Sequence, residues 1–209
     1  MDLHIHSSAS FDCASEPRRV AARCHRLGLS PVFLTDHDSI DGAVQLQKMS
    51  IGKVVTGQEV LTTEGEIIGL FLTRPVKSGL TAKQAALEIK GDGGLVYLEH
   101  PYDRARRSLS EVGIEEVADL IDIVEVFNGR SDEKANHLAE DLRATLGAAP
   151  GAGSDAHLLE EIGSVYIEME PFDGAGDFLA KLRRSRIVKH RNQFLLTAEA
   201  LLRHTMGRQ

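Results

Sequence analysis

His4 and His6 stand two residues apart in the opening segment DLHIH. If that segment is a strand, alternate side chains share a face and both imidazoles point the same way. Two imidazoles at one strand end can begin a metal site; alone, the pair reads equally as two ordinary histidines. Further ligand types stand where other short β-rich runs meet their loops. PVFLT precedes Asp36-His37-Asp38, KVVTGQEV holds Glu59, GLVYL precedes Glu99-His100, IDIVEVF precedes Asn128, and APGAG precedes Ser154-Asp155-Ala156-His157. Buried histidines and carboxylates are costly unless paired or metal-bound. In α/β folds, ligand sites form at the carboxyl ends of strands. Six such ends meeting at one edge point to bound cations rather than to core packing. Cations held there could polarise a phosphoryl oxygen and make water nucleophilic at neutral pH.

The elements that must position these residues are legible in the hydrophobic periods. Strands are expected over residues 2–6, 31–35, 53–60, 67–72, 94–98, 121–127, 149–154 and 163–169. Helices are expected over 16–27, 41–49, 81–90, 110–120 and 131–146. Ser15 is placed to cap the first helix, Pro17 to open it and Gly28 to end it. Glu64-Gly65 marks a hairpin turn between the third and fourth strands. This β-α alternation predicts an α/β fold with a mostly parallel sheet. A barrel is the natural closure, and an open doubly wound sheet also fits the pattern.

A chain of 209 residues suits one domain, residues 1–209. The net charge of -7 argues against broad, nonspecific nucleic-acid binding. It leaves room for an anionic substrate, because bound cations reverse the local sign. No run is apolar enough for a membrane span, and the start lacks a leader pattern, so the expected location is the cytoplasm. Two cysteines, Cys13 and Cys24, make no disulfide framework; Cys13 reads as a small buried hydrophobe. Arg104, Arg106, Arg107 and Arg130 lie in loops on the expected rim, where guanidinium groups can bind phosphate. Asn128 reads as a substrate contact or a turn residue, and Asp36 and Asp38 as loop caps or as supports for His37. His25, His137, His190 and His204 lack the strand-end context and read as surface residues. Residues 181–191 are expected to be a solvated basic helix end, and 193–202 an amphipathic cover or partner contact.

The blocks DLHIHSSASFD, LTDHDSIDG, GQE, LEHP, EVFNG and GSDAH, in this order from Asp2 to His157, resemble the PHP (polymerase and histidinol phosphatase) family. That resemblance implies a distorted (β/α)7 barrel holding two or three divalent ions, Zn, Mn or Fe. It implies hydrolysis of a phosphate ester, of a small phosphorylated metabolite or a short nucleotide, by a hydroxide bridging two cations. Carried over residue by residue, His4, His6 and Asp155 would hold one cation and Glu59 would bridge to a second. His100 would bind the second, and Asp12, His37 and His157 a third. Glu59, Asp155 and His37 would be the catalytic set. Many relatives add a histidine just before an I-V-G-L-like strand; here that place is Glu66. As a ligand it would favour Mn²⁺ or Fe²⁺ over Zn²⁺; otherwise it is a surface turn residue. Residues 101–153 show no inserted cap, which implies an open site and weighs against a bisphosphonucleotide substrate. The alternatives are an amidohydrolase-like hydrolase of another bond and a noncatalytic PHP domain. The oligomeric state is not written in these features.

Overall fold

The computed structural model describes residues 1–190. His204 and the amphipathic segment 193–202 lie outside the described residues. Six strands form one curled sheet in sequence order: β1 (Val32–Leu34), β2 (Val54–Leu61), β3 (Glu66–Leu70), β4 (Leu95–Leu98), β5 (Ile123–Asn128) and β6 (Ala149–Gly153). The β1–β2, β4–β5 and β5–β6 pairs are parallel, whereas β3 runs antiparallel to both neighbours. The Glu64-Gly65 turn thus makes the expected hairpin, with Glu59 opposite Ile68.

The sheet departs from the seven-stranded barrel at both ends. Residues 2–6 form no strand; Ile5 makes one isolated parallel bridge to Ala156. Their backbone instead bonds to two elements. Thr35 N–H donates to the Ile5 carbonyl at 2.9 Å, and Asp155 N–H to the His4 carbonyl at 2.9 Å. The Asp2 carboxylate explains the broken ladder, because it accepts from the His4, Ser154 and Gly163 N–H groups at 3.4, 2.9 and 3.0 Å. The last expected strand is β7 (Val165–Glu168), but it leaves the main sheet. It pairs antiparallel with β8 (Arg186–Lys189), so the basic stretch expected as a helix end is partly a strand.

Six helices connect these strands: α1 (Pro17–Arg26), α2 (Asp41–Lys48), α3 (Ala82–Gly91), α4 (Glu111–Val117), α5 (Glu133–Leu146) and α6 (Gly174–Leu182). Pro17 opens α1, but its N-cap is Glu16 and no side chain caps it, contrary to the Ser15 reading. Thr81 and Gln84 form a capping box at α3. Asp132 caps α5 by accepting from Ala135 N–H at 2.7 Å.

Strand alternation divides the core. Val60, Ile67 and Leu98 face α3 and α4, packing with Ile89, Ile114 and Val117. Val55, Ile68, Tyr97 and Ile123 face the other way, toward Phe178, Leu182 and Val165. Further along this second face the strands carry acids. Two residues beyond Tyr97 stands Glu99, two beyond Ile123 stands Glu125, and four beyond Val55 stands Glu59. Because β3 runs backwards, its first residue Glu66, two before Ile68, arrives at the same edge. A period of two therefore stacks a carboxylate layer on an apolar one.

Candidate metal centre

His4, His6, Glu59, Glu99, His100 and Asp155 are all buried at this edge. The three histidines share one arrangement. His4 Nδ1 lies 3.2 Å from Glu125 Oε1, which can only accept, so Nδ1 donates. Ser10 gives its hydroxyl proton to Asp36 Oδ1 at 3.1 Å and therefore accepts from His6 Nδ1 at 3.1 Å and from the His37 N–H at 2.9 Å. The Ser108 hydroxyl donates to the His100 carbonyl at 2.7 Å and accepts from His100 Nδ1 at 3.3 Å. Each tether leaves Nε2 as a free donor atom.

All three Nε2 atoms converge on Glu59. Its Oε2 lies 3.3 Å from His4 Nε2, 3.2 Å from His6 Nε2 and 3.5 Å from His37 Nδ1; its Oε1 lies 3.2 Å from His100 Nε2. Asp155 Oδ1 is 3.8 Å from His4 Nε2 and 3.4 Å from His6 Nε2. Glu59 thus divides its two oxygens between two histidine groups, as a bridging carboxylate must. His6 Nε2, Asp155 Oδ2 and Glu99 Oε1 are buried without hydrogen-bond partners. Tethered imidazoles and orphaned atoms facing carboxylates need protons or cations between them, and this nitrogen and oxygen set fits divalent metal ions.

The electrostatics agree. Burial opposes charging of His4, but Glu125, Asp155 and Glu59 outweigh it and hold the imidazole well above its ordinary value. Burial likewise opposes charging of His6, yet Asp155 and Glu59 bring it to about 9. Despite its burial, Glu59 is held well below the carboxylate range by His4 and His100. Burial, then Glu59, pushes Glu66 up to about 7.

The remaining expected ligands line a small open cleft of about 170 Å³ above this floor. Asp12 Oδ2 lies 3.4 Å from His37 Nε2 and 3.1 Å from His157 Nε2. The ligand atoms of His6, Asp12, His37 and His157 lie within 4.8 Å of one another. Glu66 is buried in the cleft wall, 3.6 Å from His37 Nδ1, so the surface-turn reading does not hold. It groups with His37 and Glu59 rather than with His100. His100 and Asp155 take left-handed backbone angles, φ 30° and 54°, which turn these strand-end residues toward the site at a cost in strain.

The arginines separate. Arg106 reaches Asp155 Oδ2 at 3.4 Å, and Arg107 stands 3.9 Å from Glu66 Oε1 with its side chain 60% exposed. Both line the cleft. Arg104 lines a neighbouring groove instead. Arg130 is exposed, and its Nη1 lies 2.6 Å from His157 Nδ1 and 3.4 Å from the Asp155 carbonyl. Asn128 is no cleft residue: it is fully buried, and its amide donates to Glu125 Oε2 at 2.9 Å. Asp36 is tied to Ser7 and Ser10, so it supports His6 rather than the His37 ring. His25, His137 and His190 are exposed, as read from sequence.

Four residues went unassigned. Glu125 accepts from His4, Tyr97, His100 N–H and Asn128, and its place inside the apolar run IDIVEVF was the available signal. Ser10 carried no signal, since a loop serine has many uses. Phe11 is 76% exposed at the cleft mouth, its ring 5.0 Å from that of His37. Glu99 stands beside His100 at the end of β4, and its position in the sequence alone assigns it no role.

Comparison with known proteins matches this geometry to a family. Residues 2–61 match the model described as PHP domain, and residues 133–187 match one described as PHP-associated. An uncharacterised protein of Methanocaldococcus jannaschii is 37% identical over 153 residues, covering 66% of this chain and 87% of that one. The chain belongs to the PHP family. A two-domain Bacteroides vulgatus protein, described as containing a predicted PHP-like metal-dependent phosphoesterase, superimposes with TM-score 0.74 at 18% identity, over 90% of this chain and 64% of that one. A lesion-specific endonuclease of Pyrococcus furiosus superimposes with TM-score 0.66 at 18% identity, over 89% of this chain and 56% of that one. This PHP chain therefore spans less than two thirds of either solved neighbour, and the likeness at this identity is one of fold. No helix among the described residues is long and apolar enough to cross a membrane.

Proposed function

We propose that this PHP protein hydrolyses a phosphate ester of a small phosphorylated metabolite or short nucleotide, using two or three divalent cations. The observation that carries this reading is the convergence of three tethered histidine Nε2 atoms on Glu59 beneath a cleft rimmed by Arg106 and Arg107. His4, His6, Asp155 and Glu59 Oε2 would hold one cation, and His100 with Glu59 Oε1 a second. Asp12, His37 and His157, next to His6, would hold a third. Bound there, Zn²⁺, Mn²⁺ or Fe²⁺ would supply a Lewis acid for the phosphoryl oxygen and would acidify coordinated water.

The chain's own residues then have defined tasks. Glu125, Ser10 and Ser108 fix the three tautomers, so no imidazole must reorient during turnover. Arg106 and Arg107 present guanidinium groups to phosphate oxygens, and Arg106 can exchange its contact with Asp155 for one. The Asp155 carbonyl, 2.9 Å from His157 Nδ1, can accept its proton and so leave Nε2 free on the Asp12 side. Phe11 offers an apolar face to the organic part of the ester. The segments matched on either side of the middle of the chain share one core, since Leu3 and Val55 pack with Val165 and Ile167, which supports a single working domain.

A screen that reads phosphate release for monoesters and product formation for every other bond tests this. Protein loaded separately with Mn²⁺, Fe²⁺ and Zn²⁺ is offered phosphomonoesters, nucleotides, short DNA, and amide and carboxyl-ester substrates. Short DNA belongs in the panel because one structural neighbour is an endonuclease. Release of phosphate is expected, and His6→Ala or Asp155→Asn should lose metal and activity together. Cleavage confined to amides or carboxyl esters under full loading would overturn the phosphoester reading, and wild-type activity in either variant would overturn the site.

A further inference from the structure

Glu99 is a buried carboxylate to which the proposed reaction gives no task. It follows β4, and its side chain is fully enclosed. Its Oε2 accepts from the Ile68 N–H at 2.9 Å, whereas its Oε1 is buried with no partner. A second carboxylate adjoins it: ligand atoms of Glu59, Glu99 and His100 lie within 4.8 Å of one another. One backbone N–H does not offset the desolvation of a buried carboxylate placed beside another. A proton or a cation must stand between them. His100 supplies the deciding geometry. Its Nδ1 is committed to Ser108, so its Nε2 lone pair faces the same space, 3.2 Å from Glu59 Oε1.

We propose that Glu99 is a metal ligand, completing with His100 Nε2 and Glu59 Oε1 a three-donor site for a divalent cation. The carboxylate partner of His100 is then Glu99, and Glu66 serves the His37 side, where it groups with His37 and Glu59. Two carboxylates to one imidazole, with no thiolate, favour Mn²⁺ or Fe²⁺ over Zn²⁺ at this position. The inference rests on the cation-binding half of the proposed function and not on the bond cleaved, so its test reads metal rather than turnover.

The whole chain is stripped with a chelator, checked for native circular dichroism, and titrated with Mn²⁺, bound ion being read by electron paramagnetic resonance. Wild type, Glu99→Gln and Glu66→Gln are compared. Glutamine keeps the shape and an acceptor for the Ile68 N–H but removes the charge. In Glu99→Gln one class of site should weaken on the order of 10-fold or more while the others keep their affinity. Glu66→Gln should weaken a different class, so the double variant shows both losses. A Glu99→Gln isotherm that superimposes on wild type, or an equal weakening of every class, overturns the assignment. Wild-type crystals soaked in Mn²⁺ give a reading independent of any variant. Anomalous density touching both Glu99 and His100 supports the site, and density touching His100 alone overturns it. The expected binding in a protein that cleaves no phosphate ester supports the Glu99 site and removes only the substrate assignment.

Discussion

Ser10 carries no charge, yet three groups depend on its hydroxyl. It donates to Asp36 and accepts from His6 Nδ1 and the His37 N–H, which together leave His6 Nε2 bare toward Glu59 and Asp155. Removing it leaves His6 Nδ1 and the His37 N–H without their partner, while Asp36 keeps its bonds from Ser7, and frees the His6 ring to change tautomer. Ser10→Ala should weaken binding of one divalent ion by roughly 10- to 100-fold and lower metal-free stability by about 1–3 kcal/mol. Isothermal titration and denaturant unfolding check the two parts, and an unchanged affinity would show that the tether is idle. Such supports were hard to read in advance. A ligand type announces itself by its chemistry, but a hydroxyl acquires this task only from the Asp36 and His6 beside it.

Elements place these residues through close backbone approach. β6 passes so near residues 2–6 that a Cβ on Gly153 would stand 2.7 Å from His4 N and 3.0 Å from His4 Cα. Backbone cannot yield as a flexible side chain does, so the first segment would have to move and take His4 and His6 with it. Gly153→Ala should therefore cost about 3 kcal/mol and also weaken metal binding. Gly91, at the end of α3, meets nothing within 4 Å, and Gly91→Ala should gain up to about 0.5 kcal/mol. Thermal unfolding of the two variants, with metal titration, separates the cases. Equal effects would refute the close-approach argument. The bulge in β5 between Glu125 and Phe127 is a related device, shifting register where Glu125 turns toward His4.

At the scale of the whole molecule, the buried cluster makes stability depend on metal and pH together. Burial and Glu59 raise Glu66 to about 7, and Asp155 and Glu59 raise His6 to about 9 against its burial. Both groups bind protons more tightly folded than unfolded, so their contribution is complete at low pH and lost as pH rises through those values. His37 and His157, held below their ordinary value by burial and by His6, run the other way. From pH 7 to 9 the His6 contribution is lost, and metal-free protein should lose stability across that window. Cations compete with the same protons, so metal-loaded protein should bind more tightly and melt at a higher temperature as pH rises. Melting curves with and without chelator at pH 7, 8 and 9 check this, and parallel trends would refute it.

What the sequence determined by itself was chemistry and order. His4, His6, Glu59, His100, Asp155 and the other strand-end ligands are recognisable because polar metal-binding groups stand where short apolar runs stop. Five of the six helices and most strands follow from local periodicity, whereas α6 (Gly174–Leu182) was not among the expected elements. Pairing came instead from contacts distant in sequence. Residues 2–6 look like a strand, but the Asp2 carboxylate captures backbone donors and the segment stays irregular. Residues 163–169 look like one more barrel strand, but Val165–Glu168 pairs with β8 outside the main sheet. Glu66 sits at a strand's beginning and reaches the site because β3 runs antiparallel. It faces His37, which leaves Glu99 beside His100. Periodicity says which face a side chain takes; direction and register, set by long-range backbone pairing, say which neighbours it meets there.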